Sequence, residues 1–140
     1  MGYERKHKEK FPVLAICYDF DKTLSPDDMQ AQGYIQSVGY DTGQFWKESN
    51  SMAFANDMDN NLAYMYKMVL ESEGNFIFNK KTLAEYGAKV KLFNGVNGWF
   101  ERIREYGKER NVLVEHYIIS SGLKEMVWYK KVDSLFSRIS

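Results

Sequence analysis

The stretch Val13-Leu14-Ala15-Ile16-Cys17-Tyr18-Asp19-Phe20-Asp21-Lys22-Thr23-Leu24 decides the fold of this 140-residue chain. Its first six residues form a continuous apolar run, the pattern of a β-strand covered on both faces in a parallel sheet. Two carboxylates follow at once. Burying an unpaired carboxylate is costly, so acids at the carboxyl end of an apolar strand are placed to bind or react with something.

A second run, Val112 to Ile119, repeats that character around Glu115 and His116. It ends in Ser120-Ser121-Gly122, ahead of a helix expected around Leu123 to Trp128. Between the runs, Gly98 to Gly107 is flanked and filled by Val96, Trp99, Phe100, Ile103 and Tyr106, the three-four spacing of a helix with one face on a sheet. The expected order is strand, helix, parallel strand, with polar groups at both strand ends.

From Ser25 to about Phe93 the pattern is helical and shows no strand. Ser25-Pro26-Asp27-Asp28 reads as a helix start, with Ser25 capping, Pro26 in the first position and acids at the positive end of the dipole. Met58, Leu62, Met65, Tyr66 and Val69 mark the inner face of a second helix ending near Glu73-Gly74. A third is expected over Thr82 to Lys91, with Leu83, Tyr86 and Val90 inward. The aromatics of this block (Tyr34, Tyr40, Phe45, Trp46, Phe54, Tyr64) read as packing residues. Placed directly after the acidic strand end, the block is positioned to overhang it as a lid.

The chemistry of the two strand ends is complementary. Asp19 can act as a carboxylate nucleophile, and Asp21 is placed to protonate a leaving oxygen and later deprotonate water. Thr23, Ser120 and the backbone N–H groups of Ser121 and Gly122 supply donors for a phosphoryl group. A divalent metal would neutralise the remaining charge.

On these residues the chain resembles the haloacid dehalogenase superfamily of phosphatases, over about Phe11 to Lys131: DFDKTL after one strand looks like its first motif and YIISSG after another like its second. The resemblance implies an α/β fold with a partial Rossmann-like parallel sheet and an inserted, mainly α-helical cap, as in the phosphoserine phosphatase-like branch. Residues 1–24 and 94–140 would form the core and residues 25–93 the cap. It implies that Asp19 is the nucleophile, Asp21 the general acid and base, Thr23 the motif hydroxyl and Ser120 the phosphate-holding serine. It also implies Mg²⁺ on the Asp19 carboxylate and the Asp21 carbonyl, and a small phosphorylated substrate.

The chain departs from that family in its later motifs. A third-motif lysine and a fourth motif of acids are not found; Lys124, Lys130 and Lys131 read as solvated, and the only acids after Ser120 are Glu125 and Asp133. The strand Val13 to Tyr18 would then keep an open edge, to be covered by a second copy of the chain, by local segments or by the rest of a longer protein. A phosphoserine phosphatase would need a cap arginine, yet no Arg stands between Arg5 and Arg102. The alternative to a phosphatase is a truncated or degenerate relative that serves as a binding or assembly module.

The 19 basic and 19 acidic side chains cancel, which gives no global reason to expect nucleic acid or an acidic membrane as partner. Apolar runs are far short of the ~20 residues of a bilayer span. One cysteine and no apolar leader point to the cytoplasm. Cys17 reads as a small buried hydrophobe, His116 as a packed or hydrogen-bonded strand residue, and the Arg5 to Lys10 tail with His7 as solvated.

Overall fold

A computed structural model describes residues 10–127. The chain is mixed α/β: β1 (Val13–Tyr18), a 3₁₀ turn (Met29–Ala31), α1 (Tyr34–Ser37), α2 (Thr42–Ala55), α3 (Asn60–Ser72), α4 (Lys80–Gly87), α5 (Val96–Lys108), β2 (Leu113–Ile118) and α6 (Lys124–Val127). Trp128, Lys130, Lys131, Asp133 and the tail before Lys10 lie outside the described residues.

β1 and β2 pair in parallel, in register from Val13 with Leu113 to Tyr18 with Ile118. The crossover is α5, which folds back onto β2 where Gly107 touches it: a Cβ there would stand 2.5 Å from Val114 Cγ2. Asn111, at φ 56°, turns the chain from helix into strand. Buried Phe100 packs edge-on against Tyr18 and His116. Trp99 Nε1 donates to the Tyr18 hydroxyl at 2.7 Å, and that hydroxyl shares a hydrogen bond with His116 Nδ1, 2.9 Å away. Burial, and then the Arg104 charge, hold His116 below the usual imidazole range.

The expectation that β1 is covered on both faces is not met. Among the described residues the sheet has two strands, and Val13 and Leu14 are 41% and 49% exposed. Cys17, expected to be buried, is exposed for the same reason. No other described strand pairs with the far edge of β1.

The helical block begins with a second correction. Ser25 caps no helix; it is fully buried, and its hydroxyl donates to the Lys91 carbonyl at 2.7 Å and accepts from Gln32. α2, α3 and α4 are capped instead by Asp41, Asp59 and Asn79, whose side chains accept from backbone N–H groups in each first turn. α3 ends at Ser72 as expected, but its buried face is Ala63, Tyr64, Lys67, Met68 and Ser72. Leu62, Tyr66 and Val69, expected inside, are 59%, 53% and 42% exposed. The cause is Lys67, whose ammonium is 2.8 Å from both Glu48 of α2 and Glu71 and lies over the Tyr40 ring. Burial pushes the Lys67 ammonium down, and hydrogen bonds with Glu48, Glu71 and Tyr40 outweigh it.

Leu83 and Val90 are buried and Tyr86 half-buried, as the third helical stretch predicts. α4 meets α6 so closely that a Cβ on Gly87 would stand 2.3 Å from the Met126 carbonyl oxygen. One apolar core therefore runs from Phe20 and Leu24 through Tyr34, Phe45 and Met68 to Met126. Of the aromatics read as packing, Phe54 is the exception, at 92% exposed.

Candidate functional site

The parallel register sets the site. Tyr18 and Ile118 form the last pair of the ladder, and Ile119 N–H donates to the Tyr18 carbonyl at 2.8 Å. Two segments leaving neighbouring parallel strands at one level start side by side. Asp19 and the Ser120-Ser121-Gly122 loop thus open at the same end of the sheet, where open α/β sheets take their ligands.

Residues 20–25 wind around a single acceptor: the Phe20 carbonyl takes hydrogen bonds from the N–H groups of Thr23, Leu24 and Ser25. Lys22 stands in the left-handed region at φ 61°, which costs a non-glycine residue about 1 kcal/mol. Its ammonium is 3.3 Å from Asp28. Phe20 is buried and anchors the loop to the core.

Asp19 is exposed, with Oδ1 accepting from Phe20 N–H at 2.7 Å. Asp21 turns inward, with Oδ1 accepting from Met29 N–H at 2.9 Å. Burial pushes the Asp21 carboxyl up to about 6; the Met29 N–H opposes that shift, and the Asp28 and Asp19 charges add to it. A carboxyl held there exchanges protons near neutrality, as a general acid and base must.

Ser120 Oγ accepts from Gly122 N–H at 3.0 Å and so shapes its own loop. Gly122 lies close against the 3₁₀ turn: a Cβ on it would stand 2.1 Å from Met29 Cε, so that side chain would have to shift. The Tyr64 hydroxyl, from α3, donates to the Ser121 carbonyl at 2.7 Å and ties the helical block to the second strand-end loop. Burial, and then the charge of Asp21, push Tyr64 up to about 12, so it remains a donor.

Between these parts lies a cavity of about 220 Å³. Asp21, Asp28, Ser121 and Gly122 line it from the two strand-end loops. α2 contributes Trp46 and Asn50, and α3 contributes Asn60, Asn61 and Tyr64, so the helical block shares a cavity with Asp21 and Asp28. Asp19, Thr23 and Ser120 are not among its lining residues, and Thr23 is exposed on its loop. Trp46, Tyr64 and Gln30 carry no motif. Trp46 and Tyr64 do pack together, ring centroids 5.7 Å apart, as their reading as core residues implies, and line the cavity as well.

Mg²⁺ takes oxygen ligands, often one or two carboxylates completed by water and substrate phosphate. The Asp19 carboxylate fits the first part of that set, with the Asp21 main-chain carbonyl as a further oxygen. Among the described residues no group of three His, Cys, Asp or Glu could hold an ion by itself. The described protein groups are therefore short of a complete site.

No family model and no solved structure matches the chain. Among curated proteins, an uncharacterized protein of Borreliella burgdorferi is 28% identical over 142 residues, spanning 94% of this chain and 50% of that protein. The chain thus spans about half the length of the curated relative it matches. No helix among the described residues is long and apolar enough to cross a membrane.

Proposed function

We propose that this chain carries the nucleophile half and helical cap of a haloacid dehalogenase-type phosphatase, acting on a small phosphorylated metabolite through an aspartyl-phosphate. The observation that carries the reading is the convergence of Asp21 with Ser121 and Gly122 on one cavity, beside the exposed Asp19. The parallel β1–α5–β2 unit is what a partial Rossmann-like sheet would contain.

In this reading an Asp19 carboxylate oxygen attacks phosphorus and the bond to the leaving oxygen breaks. That oxygen takes the Asp21 proton and departs as the alcohol. Asp21, now ionised, takes a proton from water; the hydroxide attacks phosphorus, releasing inorganic phosphate and restoring the Asp19 carboxylate. Ser120 and the Ser121 backbone N–H hold phosphoryl oxygens, joined by the Gly122 N–H once it releases Ser120 Oγ, with Thr23 at the loop's outer side. Mg²⁺, held by Asp19 and the Asp21 carbonyl together with the substrate phosphate, would offset negative charge.

A second reading rests on the open edge of β1 and its exposed Leu14: a chain without catalysis of its own that binds or assembles through that edge. Hydrolysis of p-nitrophenyl phosphate with Mg²⁺ separates the two. The phosphatase reading expects turnover that falls about 10³-fold or more in Asp19→Asn; turnover that survives the substitution removes Asp19 from the mechanism.

A further inference from the structure

Among the described residues three that are not glycine stand at positive φ: Lys22 at 61°, Asp57 at 50° and Asn111 at 56°. Asp and Asn visit that region readily because their short polar side chains bond locally, whereas a lysine has no such help. Residues held there gather at ligand sites, where the side chain has a use that offsets the strain. A glycine at position 22 would turn the loop as well. The backbone gives no reason for a lysine, so the reason lies in its side chain.

That side chain is 64% exposed, and its ammonium lies 3.3 Å from Asp28 Oδ2. An ion pair so open to solvent is worth little and does not account for the strained turn. Its position accounts for more. Lys22 follows Asp21 on the loop that leaves β1 after Asp19, and Asp28 is part of the cavity wall, so the ammonium stands beside that wall.

A phosphoryl group brings up to two negative charges to a place that already holds the exposed Asp19 and, on the cavity wall, Asp21 and Asp28. No Lys or Arg is among the described residues lining that cavity. Like charges gathered there repel, and phosphoryl transfer spreads its charge over the three equatorial oxygens of the transition state. An ammonium on a flexible four-carbon stem offers three donors, more than Asp28 alone engages, and can exchange a weak partner for a more highly charged one.

Resting on the phosphatase reading, we infer that Lys22 is the protein's own cation for the phosphoryl group: its ammonium leaves Asp28 when substrate arrives and donates to the phosphoryl oxygens. The left-handed turn is the cost of presenting it beside Asp19 and Asp21.

The test is the affinity of the full chain for inorganic phosphate, read from the Gly122 amide in ¹H–¹⁵N NMR with Mg²⁺, beside kcat and KM on p-nitrophenyl phosphate. Lys22→Asn, which tolerates the left-handed turn, is expected to weaken phosphate about tenfold and lower kcat/KM about 10- to 100-fold with little change in urea midpoint. Lys22→Arg keeps the charge and should retain most of both. Asp28→Asn releases the ammonium and should tighten phosphate binding, more so with Lys22 present than in the Lys22→Asn background. If Lys22→Asn binds phosphate and turns over as the wild type does, or if Asp28→Asn weakens phosphate as Lys22→Asn does, Lys22 only holds Asp28 and the phosphoryl site stands without it. An equal effect of Asp28→Asn in both backgrounds overturns the exchange of partners in the same way. If Gly122 answers to no phosphate and the wild type shows no turnover, the phosphatase reading fails and takes the inference with it.

Discussion

Tyr64 on α3 donates its hydroxyl to the main-chain oxygen of Ser121, 57 residues away in sequence and 2.7 Å away in space. That bond fastens the helical block to the loop read as the phosphate-holding element. Tyr64→Phe keeps the packing against Trp46 and removes the bond. The expected loss is about 1 kcal/mol of stability by urea unfolding, and about tenfold in kcat/KM on p-nitrophenyl phosphate. An unchanged kcat/KM would mean that the loop's position does not depend on α3.

Asp21 makes a signed prediction. Its carboxyl is raised from 3.8 to about 6 in the folded chain, so the folded state binds more protons than the unfolded one between those values. Its contribution to stability is full below the lower value and lost as pH rises through about 6. After allowance for partial solvent screening, Asp21→Asn should stabilise the fold at neutral pH by on the order of 1 kcal/mol while lowering turnover about 10² to 10⁴-fold. His116, held below its ordinary value, acts oppositely: stability is lost as pH falls from about 6.5 through its folded value. Unfolding midpoints of both proteins across mildly acid to neutral pH separate the two contributions.

Lys67 joins α2 to α3 through Glu48 and Glu71 while 3% exposed. Lys67→Ala leaves the two carboxylates and a hole, and is expected to cost about 2 kcal/mol, measured by denaturant unfolding. Lys67→Met fills the volume, and because both glutamates reach solvent it should cost less than half as much.

Gly122→Ala drives a methyl group into Met29, which is fully buried. The expected cost is about 1–3 kcal/mol. Met29→Ala in the same chain should recover most of it, and a double-mutant cycle on unfolding free energies reads the coupling. Additive effects would show that the 3₁₀ turn and the second loop do not meet.

Both strands and their parallel pairing were legible because each is a short apolar run with chemistry at its end. α5 followed from three-four spacing, and the acids at the end of β1 stand beside the Ser120 loop as their placement implied. What was not legible depends on partners distant in sequence. Ser25 reads as a helix cap until the Lys91 carbonyl, 66 residues on, claims its hydroxyl. The face of α3 reads as Leu62, Tyr66 and Val69 until Glu48 makes burial of Lys67 favourable. The apolar character of β1 predicts cover that a two-stranded sheet does not provide. Gln30 and Trp46 have no local signal; only folding brings them to the same cavity as Asp21.

The central claim is that Asp19 becomes phosphorylated. In Asp21→Asn, p-nitrophenolate leaves without needing a proton, so the first step proceeds, whereas water has lost its base and the second stalls. Acid-quenched mass spectrometry of that variant after exposure to p-nitrophenyl phosphate and Mg²⁺ should show a gain of one phosphoryl group, mapped to Asp19 and absent from the Asp19→Asn/Asp21→Asn double variant. No gain, or a phosphoryl group on any other residue, would contradict the account.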